Sequence, residues 1–289
     1  DTDHVNVSLP SLRIDAFSLD VMSKVQDIRK SSLTFASEAG TQRLRDVINK
    51  GITEENIIKG SHDAFLGGWD KVKLYFMLGL PTETDEDLRG IAELAERISE
   101  EYFETVPKEK RNGRVMINAS ASYFVPKPFT PFQWAPMILP DEFTRRAHYV
   151  KDTFMQQKNK KSLKFSYHDA GISILEGVLA RGDRRLSKTI YDVYMQGGIF
   201  DAWTEFFSME RYENAFKNNN VDIEFYTARE RMADEIFPWE HIDAGVSKRF
   251  LLKEWENAKA GVVTPNCRMK CQGCGSAVYG GGVCFEAKN

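Results

Sequence analysis

The feature that most constrains the fold is a strand-like run that ends at a polar, glycine-containing turn and is followed by a helical pattern. Residues 33–36 are apolar and β-prone, residues 37–40 break the run, and a helical pattern begins at Gln42. The same order recurs at residues 71–78, which have the pattern of a buried strand and end in the turn 79–83. Such alternation favours an α/β protein with parallel strands and right-handed crossovers.

Strand-like runs occupy residues 5–9, 32–37, 71–79 and 114–123, with helical patterns between them. Four parallel strands are too few to close a barrel. We therefore predict a partial (β/α) barrel, the C-terminal portion of a longer one, with about two βα units upstream of residue 1. An unpaired strand edge either associates or is covered, so the edge at residues 5–9 is expected to self-associate, bind a partner or pair with its own chain.

The pattern divides the chain into three parts. We predict a partial barrel at residues 1–135, a mainly helical domain at residues 136–260, in which residues 163–167 have the pattern of a short strand, and a Cys-rich tail at residues 261–289. Aromatic residues recur at near-helical spacing in the second part, which favours core positions over a base-stacking platform. They are Tyr191, Tyr194, Phe200, Trp203, Phe206 and Phe207.

Composition and cysteine usage indicate the compartment. A net charge of -3 gives no electrostatic reason to expect nucleic acid as a partner. The sequence has no signal peptide and no apolar run long enough to span a bilayer. All four cysteines lie within residues 267–284, which in a chain without export signals indicates a metal site in a reducing compartment. We therefore predict a cytoplasmic protein that does not bind membranes.

Three polar residues follow predicted strands, at positions that are often functional in α/β proteins. Glu38 follows one strand, and its carboxylate suits either the two hydroxyls of a ribose or the N-terminal charge of the next helix. Ser11 and Arg13 follow the preceding predicted strand at the same level. Arg13 suits either bidentate recognition of a carboxylate or a surface ion pair with Asp15.

Longer motifs surround these positions. They are Ser37-Glu-Ala-Gly-Thr-Gln-Arg, Phe76-Met-Leu-Gly-Leu-Pro-Thr-Glu-Thr-Asp-Glu-Asp and Phe124-Val-Pro-Lys-Pro-Phe-Thr-Pro-Phe. Together they resemble the later strand ends of radical S-adenosylmethionine (SAM) enzymes, in the group that carries a cobalamin-binding domain and in the related methylthiotransferases. Later segments are similar to the tail of an uncharacterised bacterial family of that group, namely His168-Asp, residues 175–185, Phe200-Asp-Ala-Trp203 and residues 238–243.

The resemblance implies cofactors and contacts. SAM would be bound with Glu38 on its ribose, Ser11 and Arg13 near its methionine moiety, and residues around Leu80 and Pro81, with Val125, lining the adenine. Such enzymes hold a [4Fe-4S] cluster on a Cys-x3-Cys-x2-Cys loop after the first barrel strand, and some also use cobalamin. No such loop follows a strand in this sequence, so we expect the ligands of the SAM cluster to lie outside this chain.

The tail cysteines leave three interpretations open. Cys267, Cys271 and Cys274 have the same x3, x2 spacing as a radical SAM cluster loop, and Cys284 follows a glycine-rich turn. They could form a structural zinc site or auxiliary Fe-S site, with Cys284 as the least certain ligand. They could also be free thiols of a tail, or a displaced cluster that cleaves SAM.

Two functions remain after the sequence alone. In the first, the chain is part of a radical SAM oxidoreductase or transferase that modifies an unknown substrate. That substrate could be RNA or protein. The second is a non-catalytic scaffold that docks RNA or a ribosomal component through a structural zinc knuckle. A Cys-x3-Cys-x2-Cys loop upstream would favour the enzyme.

Overall fold

The computed structural model describes residues 33–111, 113–203, 205–267 and 269–280. Within these ranges the protein is α/β, with one parallel sheet of four strands in the order β1-β2-β3-β4 and nine α-helices. The strands are β1 (Leu33–Glu38), β2 (Lys71–Leu78), β3 (Met116–Tyr123) and β4 (Leu163–Tyr167). The helices are α1 (Gln42–Val47), α2 (Glu54–Leu66), α3 (Asp85–Thr105), α4 (Pro140–Gln156), α5 (Ala170–Arg181), α6 (Leu186–Met195), α7 (Met209–Asn218), α8 (Ile223–Thr227) and α9 (Lys248–Lys259).

The parallel sheet confirms the predicted α/β class and is compatible with a partial β/α barrel. β1, β2 and β3 lie within one or two residues of the predicted runs. The predicted strand at residues 5–9, with its exposed edge, lies outside the described residues. The fourth described strand is β4, which comes from the part predicted to be mainly helical and pairs in parallel with β3.

Three threonines begin the helices α1, α2 and α3. Thr41 and Thr53 accept hydrogen bonds from the backbone N–H groups of Leu44 and Asn56. Thr84 and Asp87 form a capping box at the start of α3, which their spacing of three residues favours. Each helix therefore begins at a residue whose side chain can replace the missing helical acceptor.

The core of the sheet is built from alternate residues of β2 and from one face of α3. Val72, Leu74, Phe76 and Leu78 are at most 1% exposed, and the residues between them are less buried. The apolar stripe of α3 is equally inaccessible, as predicted, and comprises Leu88, Ile91, Ala92, Ala95 and Ile98. Burial of both sets is the main source of stability for this layer.

The chain forms two compact units. The first contains the described residues up to 123 together with 144–168 and 258–263, and the second contains 124–143, 169–257 and the described residues from 264. These boundaries do not coincide with residues 135 and 260, because β4 and most of α4, residues 144–156, belong with the sheet. In the second unit, α5–α8 enclose a cluster of Leu175, Val178, Leu186, Phe216 and Tyr226.

The predicted aromatic core of the second unit is wrong for most of its residues. Phe207 packs against the buried cluster. The others are between 53% and 64% exposed, namely Tyr191, Tyr194, Phe200, Trp203 and Phe206. For Phe200, Trp203 and Phe206 the physical reason is that α6 ends at Met195 with Gly197 in the left-handed region, so the helical periodicity does not continue through them. Tyr191 and Tyr194 lie within α6, on a face that the helix does not bury.

No helix among the described residues is long and apolar enough to cross a membrane.

The start of α1 lies against α3 at backbone contact distance. A Cβ atom on Gly40 would be 2.4 Å from the carbonyl oxygen of Asp87 and 2.4 Å from the amide nitrogen of Ile91. A Cβ atom on Gly90 would in turn be 2.7 Å from the methyl carbon of Thr41. No side chain fits between these two backbones, so the approach requires glycine on both sides.

We predict that Gly40→Ala lowers the free energy of unfolding by about 3 kcal/mol, because the added methyl group forces two packed backbones apart. Gly51→Ala is the matched control. Nothing lies within 4 Å of a Cβ atom on Gly51, although its φ is +69°, so that substitution should cost only about 1 kcal/mol. Urea denaturation measures both values. Equal costs for the two variants would contradict the close approach.

Candidate functional site

β1 ends in an unusual backbone conformation at Glu38. Its φ is +63°, a region that residues with a Cβ atom seldom occupy. The pairing with β2 shifts register between Ala36 and Glu38, and the N–H of Ala39 donates to the carbonyl of Ser37 over 2.8 Å. Strained residues of this kind cluster at functional sites, so the geometry marks the end of β1 as a candidate site.

The Glu38 carboxylate is only partly committed. Its Oε1 accepts a hydrogen bond from Lys50 Nζ at 2.9 Å, and the two side chains are 24% and 28% exposed. Within the described part of the chain, its Oε2 accepts no hydrogen bond. The neighbouring Ser37 is fully buried, and its hydroxyl has no hydrogen-bond partner there either. The end of β1 therefore offers an open carboxylate oxygen at Glu38, whereas the Ser37 hydroxyl is enclosed.

The neighbouring strand β2 ends in a tight turn at residues 79–83. The N–H of Gly79 donates to Glu83 Oε2 at 2.8 Å, and the N–H of Glu83 donates to the carbonyl of Leu80 at 3.1 Å. Thr82 has a φ of +64°, so a non-glycine residue with a positive φ follows β2 as well as ending β1. Leu80 is buried and Pro81 is half-buried, so the turn presents mainly backbone and proline.

Asp87 joins the two strand ends. Its carboxylate, 2% exposed, accepts from Thr41 and Arg43 after β1 and from the N–H and hydroxyl of Thr84 after β2, the last two at 2.8 and 2.9 Å. Burial alone would raise the pKa of Asp87, but the hydrogen bonds from Arg43, Thr41 and Thr84 outweigh it and hold the pKa below its usual value. Arg43 also donates to the carbonyl of Thr82 at 2.8 Å.

Glu83 is a buried carboxyl group with a cationic partner. Its side chain is 1% exposed, and its Oε2 lies 2.7 Å from Arg146 Nη1 in α4. Burial raises the pKa of Glu83 to about 7, against the opposing effect of hydrogen bonds from Gly79 and Arg146. Burial also raises the pKa of Tyr123, the last residue of β3. The sheet end therefore holds one carboxyl group that can exchange a proton near neutral pH.

The structure brings together three of the residues predicted to bind a cofactor. Glu38 lies at the end of β1, and Leu80 and Pro81 follow the end of the paired strand β2. Val125 is half-buried and belongs to the second unit. The two other predicted ligands, Ser11 and Arg13, lie outside the described residues.

The tail cysteines remain a prediction. Cys267 and Cys271 are exposed, and Cys274 is partly buried. Hydrogen bonds with Ser276 lower the pKa of the Cys274 thiol, and its carbonyl accepts from the N–H of Ser247 at 2.8 Å. The described residues contain no group of three or more His, Cys, Asp or Glu side chains placed to hold a metal ion, and Cys284 lies outside them.

Sequence reasoning missed Glu83 and Arg146. In the sequence, Glu83 stands only at the end of the turn 79–83, and no motif includes Arg146. The available signal was the position of Glu83 between a strand-end proline and the capping threonine Thr84. No local pattern pairs it with Arg146, which is 63 positions away.

Comparisons with known proteins identify one relative and no activity. No protein-family model matches the chain. The chain is 30% identical over 217 residues to an uncharacterised protein of the archaeon Methanocaldococcus jannaschii. The match covers 75% of this chain but 44% of the relative. The chain therefore spans less than half the length of that relative.

We predict that the stability of the protein depends on the protonation of Glu83. The unfolded chain has a pKa near 4.5 at this residue and the folded protein about 7, so the folded state binds the proton more tightly. The resulting stabilisation is complete below about pH 4.5 and is lost as the pH rises through about 7, with a total loss of about 3 kcal/mol.

Chemical denaturation of the wild type and of Glu83→Gln between pH 4.5 and 8 measures this loss. The variant should lack that part of the pH dependence, because its amide does not titrate. Glu55→Gln, an exposed residue of α2, should keep the wild-type profile. Superimposable profiles for wild type and Glu83→Gln would show that Glu83 is ionised throughout.

Proposed function

We propose that the chain is part of a radical SAM iron-sulfur enzyme and that the ends of β1 and β2 bind SAM. The observation that carries the proposal is the placement of Glu38 in a left-handed conformation at the end of a parallel strand, with one carboxylate oxygen open. Its neighbour across the sheet is β2, whose turn contains the second motif of the resemblance. Ligands in open α/β sheets bind at this edge.

The residues present fit the ribose and adenine of SAM. A carboxylate is the natural partner of adjacent ribose hydroxyls, because its oxygens accept and the hydroxyls donate. Lys50 holds Oε1 of Glu38, which orients the side chain and leaves Oε2 for the ligand. The turn at Leu80 and Pro81 provides apolar surface and backbone groups for a flat base.

In such an enzyme, a reduced [4Fe-4S] cluster supplies the electron that cleaves SAM, and the protein supplies position and electrostatics. The part of Asp87 is indirect. It ties the residues after β1 to those after β2 through Thr41, Arg43 and Thr84, and thereby keeps the two halves of the proposed pocket at a fixed distance. The same proposal includes cobalamin as a second cofactor of the whole protein. The proposed substrate is an RNA or a protein.

The cluster that cleaves SAM is assigned to ligands outside this chain. The tail has the correct Cys-x3-Cys-x2-Cys spacing, but it follows the helical part of the sequence, whereas the cluster loop of radical SAM enzymes follows the first barrel strand. The cysteine chemistry therefore suits a separate zinc or auxiliary Fe-S site at Cys267, Cys271, Cys274 and Cys284.

We expect S-adenosylhomocysteine, which needs no cluster to bind, to bind the chain and to bind Glu38→Gln about tenfold more weakly. The reason is the loss of a charge-assisted hydrogen bond to ribose. Isothermal titration calorimetry measures both affinities, and Glu55→Gln is the matched control, since Glu55 is an exposed glutamate of the same unit.

Equal affinity of wild type and Glu38→Gln for S-adenosylhomocysteine would show that SAM does not bind at the end of β1. No binding at all by the full-length protein would contradict the enzyme proposal and leave the scaffold. Thermal unfolding of the variants checks that Glu38→Gln is folded, because its partly exposed ion pair with Lys50 contributes less than about 1 kcal/mol.

For the tail, we expect the protein to carry zinc or iron, as measured by elemental mass spectrometry after dialysis. Cys271→Ser should lower both the metal content and the melting temperature, because a four-thiolate site loses most of its affinity when one ligand is removed. A metal-free wild type with the same melting temperature as Cys271→Ser would show that these thiols are free.

A further inference from the structure

A groove on the second unit is separate from the strand-end site and has no role in the proposed function. It consists of two adjoining cavities, of about 420 and 580 Å³. Both are lined by Ser187, Lys188 and Asn219. Cavities of this volume are typical of small-molecule sites. The groove runs between α6 and the segment from the end of α7 to α8.

One face of α6 forms a wall of the groove. Arg184 just before the helix, Lys188, Tyr191 and Met195 follow each other at spacings of three or four residues and therefore share a face. Tyr191 is 64% exposed and Met195 is 64% exposed. This face thus combines two cations at one end with an accessible aromatic ring and a thioether at the other.

The acidic residues near the groove already accept hydrogen bonds from other groups of the chain. Asp183 binds Arg185 through several hydrogen bonds. Asp192 accepts from the side-chain amides of Gln196, Asn218 and Asn219.

Asp222 caps α8 by accepting from the N–H of Glu224 at 2.9 Å. In contrast, Arg184 and Lys188 form no ion pair with any residue that the structure describes. The groove therefore presents two cations without an ion-pair partner among the described residues. Beside them lie the carboxylates of Asp192 and Asp222, whose hydrogen bonds come from neutral groups and leave their charges in place.

The aromatic groups of the groove differ in availability. Phe225 already has the guanidinium groups of Arg185 and Arg229 at 5.1 and 4.4 Å from its ring centroid. Tyr226 is 3% exposed. Tyr191 remains the accessible ring. Asn220, at a positive φ of 53°, lines the groove with a side-chain amide that makes no hydrogen bond within the described residues.

We propose that this groove binds a nucleotide unit, with its phosphate on Arg184 and Lys188, its base stacked on Tyr191 and an edge of the base near Asn220. Arginine and lysine are the usual partners of phosphate. Stacking of a base on an aromatic ring adds affinity with little sequence preference, and an amide can both donate to and accept from a base edge.

A nucleotide accounts for the whole set better than an acidic peptide does. Carboxylates would satisfy the two cations, but they would leave Tyr191 and Asn220 without a role. Free nucleotide and single-stranded RNA present the same unit, so both sources fit the groove. SAM lacks a phosphate, which separates this inference from the proposed function.

The experiment measures the binding of AMP, adenosine, ribose 5-phosphate and a labelled single-stranded octaadenylate to the full chain. We expect AMP to bind about tenfold more tightly than adenosine and than ribose 5-phosphate, since each lacks one of the two anchors. Arg184→Gln and Lys188→Gln should each weaken AMP about tenfold, and Tyr191→Ala should weaken AMP but not ribose 5-phosphate. Arg249→Gln and Lys253→Gln, exposed cations of α9, are the matched controls and should change affinity less than twofold.

The oligonucleotide arm identifies the source. Octaadenylate bound more than tenfold more tightly than AMP indicates an RNA strand, with a salt dependence that falls by about 0.7 in slope for each cation removed. Equal affinities indicate a free nucleotide. AMP affinity that is unchanged in Arg184→Gln and Lys188→Gln would overturn the inference. Displacement of AMP by a glutamate-rich peptide at the same concentration as by octaadenylate would also overturn it.

Discussion

The backbone contact between Gly40 and α3 is the constraint on which the geometry of the strand ends depends. With the carbonyl of Asp87 and the N–H of Ile91 this close to Gly40, the start of α1 has no freedom to slide along α3. The contact also places Thr41 and Arg43 within reach of the Asp87 carboxylate, which the capping box fixes from the other side through Thr84. One buried carboxylate is thereby shared by two loops. The free-energy cost of desolvating such a carboxylate is offset only while its hydrogen-bond donors remain in place. The ends of β1 and β2 are therefore held at a fixed distance from each other.

Two glutamates at this end of the sheet have opposite environments. Glu38 is partly exposed, shares its charge with Lys50 and keeps an open oxygen. Glu83 is enclosed, and burial raises its pKa to about 7. The first is suited to hold a ligand that donates hydrogen bonds, since an ionised carboxylate is an acceptor only. The second is suited to keep the turn after β2 closed, because its Oε2 accepts from both Gly79 and Arg146. Glu38 is thus suited to binding a ligand and Glu83 to supporting the turn, although both glutamates follow a strand in the sequence.

Local signals predicted the local structure. The strand-like run at residues 71–78 and the helical pattern that begins at Gln42 are visible within a few residues, and both were found as expected. What depends on distant contacts was not predictable in this way. β4 is five residues long, and its place beside β3 comes from pairing across the chain. The exposed aromatic residues, of which Trp203 is one, showed a helical period, yet Gly197 and Gly198 end α6 before it can continue. Period alone does not tell which face of an element will find a partner.

Arginine has two roles in the second unit, which explains why net charge is a poor guide to its surface. Arg181 is 1% exposed and donates to the carbonyl of Ala135 at 2.8 Å, while its own carbonyl accepts from Arg231 at 3.1 Å. Burial lowers the pKa of Arg181 to about 9, yet the group remains a cation at neutral pH. These buried charges hold the end of α5, from which residues 182–185 lead directly into α6. Arg184 lies in this connecting segment and Lys188 in the first turn of α6, and both side chains are exposed. The arrangement of the charges, rather than their sum, decides what this surface can bind.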